Sequence, residues 1–411
     1  MPIGDRMDFN PLSPEFKANP YAFYQMLQTH MPVFHMEAWN MWFCFRYADC
    51  NAALRDPRFG HEFRNALTEE ERAAWQPMQP SARQNPLWEM QRNWMLVRDV
   101  PDHTRLRTLV HKAFTPRTVE RLRERIEAIT LDLLNRAKDQ GTFDVVADLA
   151  YPLPVTVIAE LLGVPTADHT QFSVWSRAVV GSLDLTDQES VYNEAADATV
   201  ALDAYMRALI AERRKAPRED LISALVAVEE EGDRLTEAEL VSTLILLLAA
   251  GHETTVNLIG SGVLALLRHP EQFAKLKADP SLTRNAVEEM LRYDSPVQLT
   301  SRLVQADDVV IGGQHIPRKT QVAFVLGAAN RDPEKFANPD WFDITRPDAN
   351  QHIGFGGGIH FCLGAPLARL EGEIALRLLA QHMPDLRLSD APPRYRPTYV
   401  LRGLESLPAH F

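Results

Sequence analysis

Cysteine is scarce in this chain, with three in 411 residues: Cys44, Cys50 and Cys362. That excludes a disulfide framework and suits a reducing cytosol. Positive charge is also in deficit: 43 Lys and Arg against 55 Asp and Glu leave a net charge of −12. An acidic balance argues against general affinity for nucleic acid. Long apolar runs are missing too. The most apolar one, Leu244–Ala250, falls far short of the ~20 residues that span a bilayer. The opening stretch Met1–Asn19 is polar, with no apolar core of signal-peptide length. A soluble, cytoplasmic protein with no membrane and no nucleic-acid partner is expected. No repeat or low-complexity segment is evident. What remains, 45% hydrophobic and 24% charged, is the composition of an ordinary globular chain.

The chemistry concentrates in residues 354–366, where three successive glycines, Gly356 to Gly358, precede His360, Cys362 and Gly364. Glycines allow backbone dihedrals and close approaches that side chains forbid, so this loop can lie against a flat ligand or turn its amides towards a sulfur. The apolar pattern from Leu367 to Leu379 reads as a buried helix. Cys362 then sits near a helix N-terminus, which favours a thiolate below the free-thiol pKa of ~8.5. A nucleophilic cysteine needs a base, and His360, two residues away in an extended loop, points to the other side. Zinc would want several Cys or His at short spacing. One thiolate suits haem iron, to which the porphyrin supplies four nitrogens and the protein one axial donor. A buried structural cysteine after a glycine turn is the plainer alternative.

Phe355-x-x-Gly358-x-x-x-Cys362-x-Gly364 resembles the haem-binding signature of the cytochrome P-450 family. Four further motifs resemble that family in the same order, from residue 102 onward. His103 and Arg107, four apart, face one way on a helix and resemble a pair that clamps haem propionates. Ala250-Gly251-x-Glu253-Thr254-Thr255 resembles the oxygen-activation motif, with His252 at its variable position, read as packing or hydrogen-bonding. Glu289-x-x-Arg292, with Arg346, resembles the family's buried ion-pair network, a structural role. Ser295–Arg302 resembles the strand that lines the pocket and ends on a propionate-binding arginine.

The resemblance implies one domain over residues 1–411, mainly α with small antiparallel β-sheets, in the cytochrome P-450 fold. Haem b lies between a long central helix at 236–268 and the cysteine loop and helix at 354–371. Residues 20–60 and 296–325 are the β-rich parts, and 60–100 a greasy lid loop interrupted by Pro77, Pro80 and Pro86. Trp75, Met78, Leu87, Trp88, Met90, Trp94 and Met95 make that loop apolar; packing as a satellite patch is the alternative for each. Periodicity places further helices at 21–29, 118–138, 155–162, 167–183, 188–215 and 218–230, and a terminal hairpin at Tyr399–Leu404. Glu237 and Glu239 follow Thr236 in a capping-box pattern. Cys44 and Cys50 read as inert packing.

As a member of this family the chain would be a haem-thiolate monooxygenase that inserts one oxygen atom from dioxygen into a hydrophobic small molecule. Cys362 would ligate the iron. His103, Arg107, Arg302 and His360 would meet the propionates, and Phe355, Gly356, Gly364, Ala250 and Gly251 would line the cofactor. Glu253 and Thr254 would deliver protons. Ala249, Val297, Leu299 and Val400 suggest an apolar substrate cavity, and Arg83 or Arg92 could hold a carboxylate, although surface positions are the simpler reading. Electrons would come from a ferredoxin-type protein and its NAD(P)H-dependent reductase. The stretch Arg98–Arg125 carries eight basic residues against four acids, which suits either an acidic donor's docking site or a solvated helix face. A peroxide-driven peroxygenase would typically lack the Glu253–Thr254 pair, and a haem-based gas sensor would need an output surface. A specialised member catalysing aromatic coupling or ring rearrangement would be told apart by its substrate, not by its sequence.

Overall fold

One helix sets the frame. In the computed structural model, which describes residues 11, 13–77, 79–186, 188–228 and 233–411, Glu237–Arg268 runs unbroken for 32 residues. At 1.5 Å per residue that is about 48 Å. The Thr236 hydroxyl accepts the Glu239 amide at 3.2 Å while the Glu239 carboxylate accepts the Thr236 amide at 2.8 Å. This reciprocal cap satisfies two donors that a helix start leaves open. Helices Pro152–Leu162, His169–Gly181, Glu189–Lys215 and Ala365–His382 pack against it. Leu240 to Ala249 are therefore buried except for a half-buried Leu247, whereas Ala250 is exposed. By length and composition this helix and Val145–Leu162 are apolar enough to cross a membrane, but their windows are 78% and 67% buried inside the protein, as core helices are.

Several boundaries differ from the sequence reading, for local reasons. The expected helix 118–138 is two helices, Pro116–Glu120 and Arg123–Gln140. Thr115 caps the first, accepting the Thr118 amide at 3.1 Å, and Pro116 fills a first-turn position that needs no N–H. Pro152 likewise starts its helix three residues before the expected 155. The expected helix at 218–230 is only Leu221–Ala227, and residues 229–232 lie outside the described ones. The stretch 60–100 is not a bare loop: it folds into Phe63–Ala66, Glu69–Ala74, Asn85–Arg92 and Met95–Val97. Pro86, taken as an interruption, sits in the first turn of Asn85–Arg92, where proline is tolerated. Leu87, Met90, Trp94 and Met95 are buried in the main core, Trp75 is 37% exposed, and Met78 lies outside the described residues.

A five-stranded sheet forms from β1 (Val33–Met36), β2 (Met41–Cys44), β3 (Phe59–Gly60), β4 (Thr300–Val304) and β5 (Gln321–Phe324), in the order β1-β2-β5-β4-β3. Its pairs are antiparallel except β2 with β5. Val33, Cys44, Val322 and Phe324 join Cys50 in the core between the sheet and helix Tyr47–Ala53. Cys44 and Cys50 are free, buried thiols with sulfurs 3.6 Å apart. Near the C-terminus Arg394–Tyr395 pairs with Leu404–Ser406, so the expected hairpin at Tyr399–Leu404 lies mostly on the tip rather than on strands. The Asp184 carboxylate fixes that tip, accepting the Tyr399 amide at 3.0 Å and the Val400 amide at 2.7 Å.

Glu289, Arg292 and Arg346 form the buried network that the sequence motif suggested. Arg292 Nε donates to Glu289 at 2.7 Å, and Arg346 Nε lies 3.2 Å from the same carboxylate. Arg292 Nη1 also donates to the carbonyls of Asn330 and Pro339, which ties the helix Thr283–Tyr293 to the segment leading to the cysteine loop.

Candidate functional site

The loop from Gly354 to Gly364 folds back on itself through the Cys362 amide, which donates to Phe355 O at 3.0 Å. Gly356 and Gly358 adopt φ of 72° and 63°, and a Cβ on Gly358 would overlap the Leu54 carbonyl oxygen. Only glycine fits there without strain. Cys362 ends the loop two residues before the N-cap Gly364 of Ala365–His382, and it is exposed where Cys44 and Cys50 are buried. Burial by the surrounding protein nonetheless pushes the thiol up. The amides of Gly364 and Ala365 and the guanidiniums of Arg107 and Arg369 pull the other way and do not win. The expected lowering by the helix N-terminus is thus not met in the protein alone. A cation at the sulfur would hold the thiolate, because a coordinating thiol loses its proton outright.

Beside this loop lies a cluster of basic groups. The His103 ring is 4.3 Å from that of His360, and His61 stands 4.7 Å from His360 on its other side. Among the described residues, both nitrogens of His103 and Nε2 of His61 are buried without a hydrogen-bond partner. Arg107 Nη2 donates to Phe361 O at 2.6 Å, and Arg302, on β4, donates to Thr300 and Ser301. Burial first, then the neighbouring cations, lowers His61 to about 3, His103 to about 4 and His360 to about 2. Arg302 falls to about 10, chiefly through burial. The acid that opposes the shifts of His61, His103 and Arg302 is Asp99, already engaged by the amides of His61 and Glu62 and by Asn65 and Gln305. Unpartnered ring nitrogens and a buried arginine beside a loop that carries one exposed thiol fit a ligand that brings both a metal and carboxylates. The residues present therefore suit haem. His61 escaped the sequence reading because a lone histidine after a two-residue strand carries no spacing signal.

On the central helix, Ala250 and Thr254 are four apart and share a face, exposed and half-buried respectively. Thr254 Oγ1 donates to Ala250 O at 3.1 Å. A Cβ on Gly251 would come 3.1 Å from Ile158 Cδ1, so glycine there lets the helix Pro152–Leu162 approach closely. Glu253 is 3% exposed and forms an ion pair with Arg396 from the terminal hairpin. Both line a cavity of about 560 Å³ with Tyr151, Arg177, Asp184 and Glu405. Arg396 also escaped the sequence reading, since an arginine in a hairpin is unremarkable until the chain folds back.

The structure places the four expected pocket residues unequally. Val297 and Val400 are half-buried; Val297 bridges to Leu401, and the Gln298 amide donates to Val400 O at 2.8 Å. Ala249 and Leu299 are buried within packed clusters. Arg83 pairs with Asp197 at 2.6 Å at the surface, while Arg92 is exposed. In the basic stretch, Arg98, Arg105, Arg123 and Arg125 each pair with acids. Among the described residues Arg117 and Arg121 are exposed with no ion pair. Ile359 and Phe361, on the cysteine loop, are 50% and 41% exposed.

Comparison with known proteins gives a consistent result. The cytochrome P-450 family profile matches residues 63–384. The polyketide biosynthesis cytochrome P-450 PksS of Bacillus subtilis (strain 168) is 42% identical over 98% of each chain. Vitamin D(3) 25-hydroxylase of Pseudonocardia autotrophica is 42% identical, over 96% of this chain and 94% of its own length. A solved structure of the BioI cytochrome P-450, in complex with hexadec-9Z-enoic acid ligated acyl carrier protein, superposes with a TM-score of 0.88. It is 42% identical, covering 97% of this chain and 99% of that one.

Proposed function

Because the chain belongs to the cytochrome P-450 family, and is therefore an oxidoreductase of the monooxygenase class, we propose that it inserts one oxygen atom from dioxygen into a hydrophobic small molecule. The reaction is a hydroxylation or epoxidation, with haem b as cofactor and electrons from a ferredoxin-type protein and its NAD(P)H-dependent reductase. The observation that carries this reading is the cluster of His61, His103, His360 and Arg302 beside the cysteine loop, with ring nitrogens of His61 and His103 buried and unpartnered among the described residues and Cys362 the one exposed thiol.

Haem, when bound, supplies the activation of dioxygen and the transfer of one of its atoms. Cys362 Sγ would hold the haem iron, and Phe355, Gly356 and Gly364 would line the cofactor. His103, Arg107, Arg302 and His360, with His61, would take the propionates. Ala250, exposed on the central helix, would leave room for the cofactor, and Gly251 would support it through its close contact with Ile158. The Thr254 hydroxyl can turn from Ala250 O to hand a proton on, and Glu253 can bring protons to it from the cavity it shares with Arg396. Ala249, Val297, Leu299 and Val400 would bound the substrate space, and the segment 60–100 would cover it. Arg83–Asp197 and Gln91–Ser182 join that segment to the helices beyond it. Arg117 and Arg121 are candidate contacts for an acidic electron donor, in a soluble, cytoplasmic protein.

The dithionite-reduced protein under carbon monoxide should give the strongly red-shifted Soret band of a thiolate ligand, lost in Cys362→Ser. With ferredoxin and reductase, labelled dioxygen should then place one labelled atom in the product of a long-chain fatty acid, macrolide or steroid. Turnover driven by peroxide alone, with none from NAD(P)H, would favour the peroxygenase reading instead. The BioI structure carries an acyl chain on a carrier protein, so a carrier-tethered acyl chain is the second substrate form to test against the free acid.

A further inference from the structure

His252 occupies the variable position of its motif, yet its surroundings are specific. Its Nδ1 lies 2.9 Å from Leu248 O, and a carbonyl can only accept, so Nδ1 carries the ring proton. Burial, then the charges of Arg177 and Arg396, lowers the ring to about 4, the Leu248 bond opposing. The imidazole is therefore neutral near pH 7, with a lone pair on Nε2. That nitrogen lies 3.7 Å from Glu253 Oε2. Both atoms are buried, and among the described residues neither has a hydrogen-bond partner.

Two acceptors therefore face each other slightly beyond hydrogen-bond reach, at a separation that a small side-chain shift closes. Leaving both unpaired is costly, and only a proton between them satisfies both. Arg396 holds the other side of the carboxylate, through Oε1. We propose that His252 is a positioning residue for proton transfer: Nε2 accepts a hydrogen bond from protonated Glu253 Oε2 and holds the proton between the cavity and Thr254. This rests on the reading of Glu253 as the proton carrier.

The step balances simply. A hydronium in the cavity transfers its proton to Oε2 and leaves as water; an O–H bond forms and no electron moves. The Oε2–H then points at Nε2 until the proton passes on, and the carboxylate returns to its ion pair with Arg396. The cavity wall suits water and protons better than an anionic ligand. Glu253, Asp184 and Glu405 outnumber Arg177 and Arg396, with Tyr151 the remaining titratable group.

The test compares His252→Leu, His252→Gln and Glu253→Gln in the haem-loaded enzyme. His252→Leu should lower product formed per NAD(P)H about tenfold, equivalent to 1.36 kcal/mol per tenfold, with the missing electrons recovered as peroxide. Its solvent deuterium isotope effect should rise. In infrared difference spectra, the carboxyl C=O band that disappears in Glu253→Gln should move to higher frequency, because the acid has lost its acceptor. His252→Gln, whose amide oxygen can still accept, should restore most of the coupling and move the band less. Unchanged coupling and an unmoved band in His252→Leu, beside an uncoupled Glu253→Gln, would overturn the role of His252 alone. An inert Glu253→Gln would remove the proton-carrier reading and this inference together. If His252→Leu does not load haem, the band in His252→Gln decides: an amide oxygen is a weaker acceptor than imidazole, so an unmoved band overturns the proposal.

Discussion

Replacing Arg292 by methionine tests the network that locks the cysteine-loop side of the fold. Arg292 is fully buried and gives two hydrogen bonds to Glu289, at 2.7 and 2.9 Å. It gives three more to the carbonyls of Asn330, Pro339 and Trp341, at 3.0, 2.8 and 3.2 Å. Methionine fills much of the volume but donates nothing. Glu289 would keep only Arg346 and the Asp343 amide, and three carbonyls would lose a donor. Removing one partner of a buried ion pair costs about 3–5 kcal/mol. With an unfolding entropy near 2.1 cal/mol/K per residue, a loss of that size lowers the Tm of a 411-residue chain by about 5 °C. The loss should appear in thermal melts of haem-loaded protein, with Glu289→Gln showing a drop of similar order. A melt of Arg292→Met within 1 °C of wild type, an interval of about a fifth of the expected shift, would refute the assignment of the network as a stabilising lock.

Glu288 gives a pH dependence. Burial raises it, but hydrogen bonds from His352 and Arg369 outweigh burial and hold it down at about 2, below its ordinary 4.5. The stability it lends is full above pH 4.5 and is lost as the pH falls towards 2, on the order of 3 kcal/mol in all. Glu288→Gln should therefore melt below wild type at pH 7, and the gap should close in acid; a constant gap would argue against the linkage. Asp184→Ala frees the Tyr399 and Val400 amides, with an expected cost of about 2 kcal/mol for the charged hydrogen bonds. Faster hydrogen exchange at those two amides, with altered regioselectivity of oxidation, is the expected readout. His61→Phe removes one unpaired ring nitrogen from the histidine–arginine cluster and should speed haem loss to a competing haem-binding protein about tenfold; an unchanged rate would exclude His61 from the propionate contacts.

Local patterns carried far in this chain. The capping box at Thr236 and Glu239 marked the start of the central helix to the residue, because both partners lie within one turn. The Gly356–Gly358 run marked the tight loop, because positive φ is a property of the residue itself. Glu289 and Arg292 could be paired from sequence because i,i+3 residues share a helix face. Proline misled where first-turn tolerance looked like interruption, as at Pro86.

What the sequence by itself determined was the set of groups held together by short covalent spacing: the cysteine loop, the His103–Arg107 pair, and the order Ala250, Gly251, Glu253, Thr254 on one helix. The tertiary structure alone decided which distant residues meet them. His61 reaches His360 across about three hundred residues of chain, and Arg396 reaches Glu253 from a hairpin far beyond it. Burial is likewise a property of the fold. It turns the thiol of Cys362 upward against its helix N-terminus, and it leaves His252 and Glu253 as two facing acceptors whose meaning no spacing could reveal.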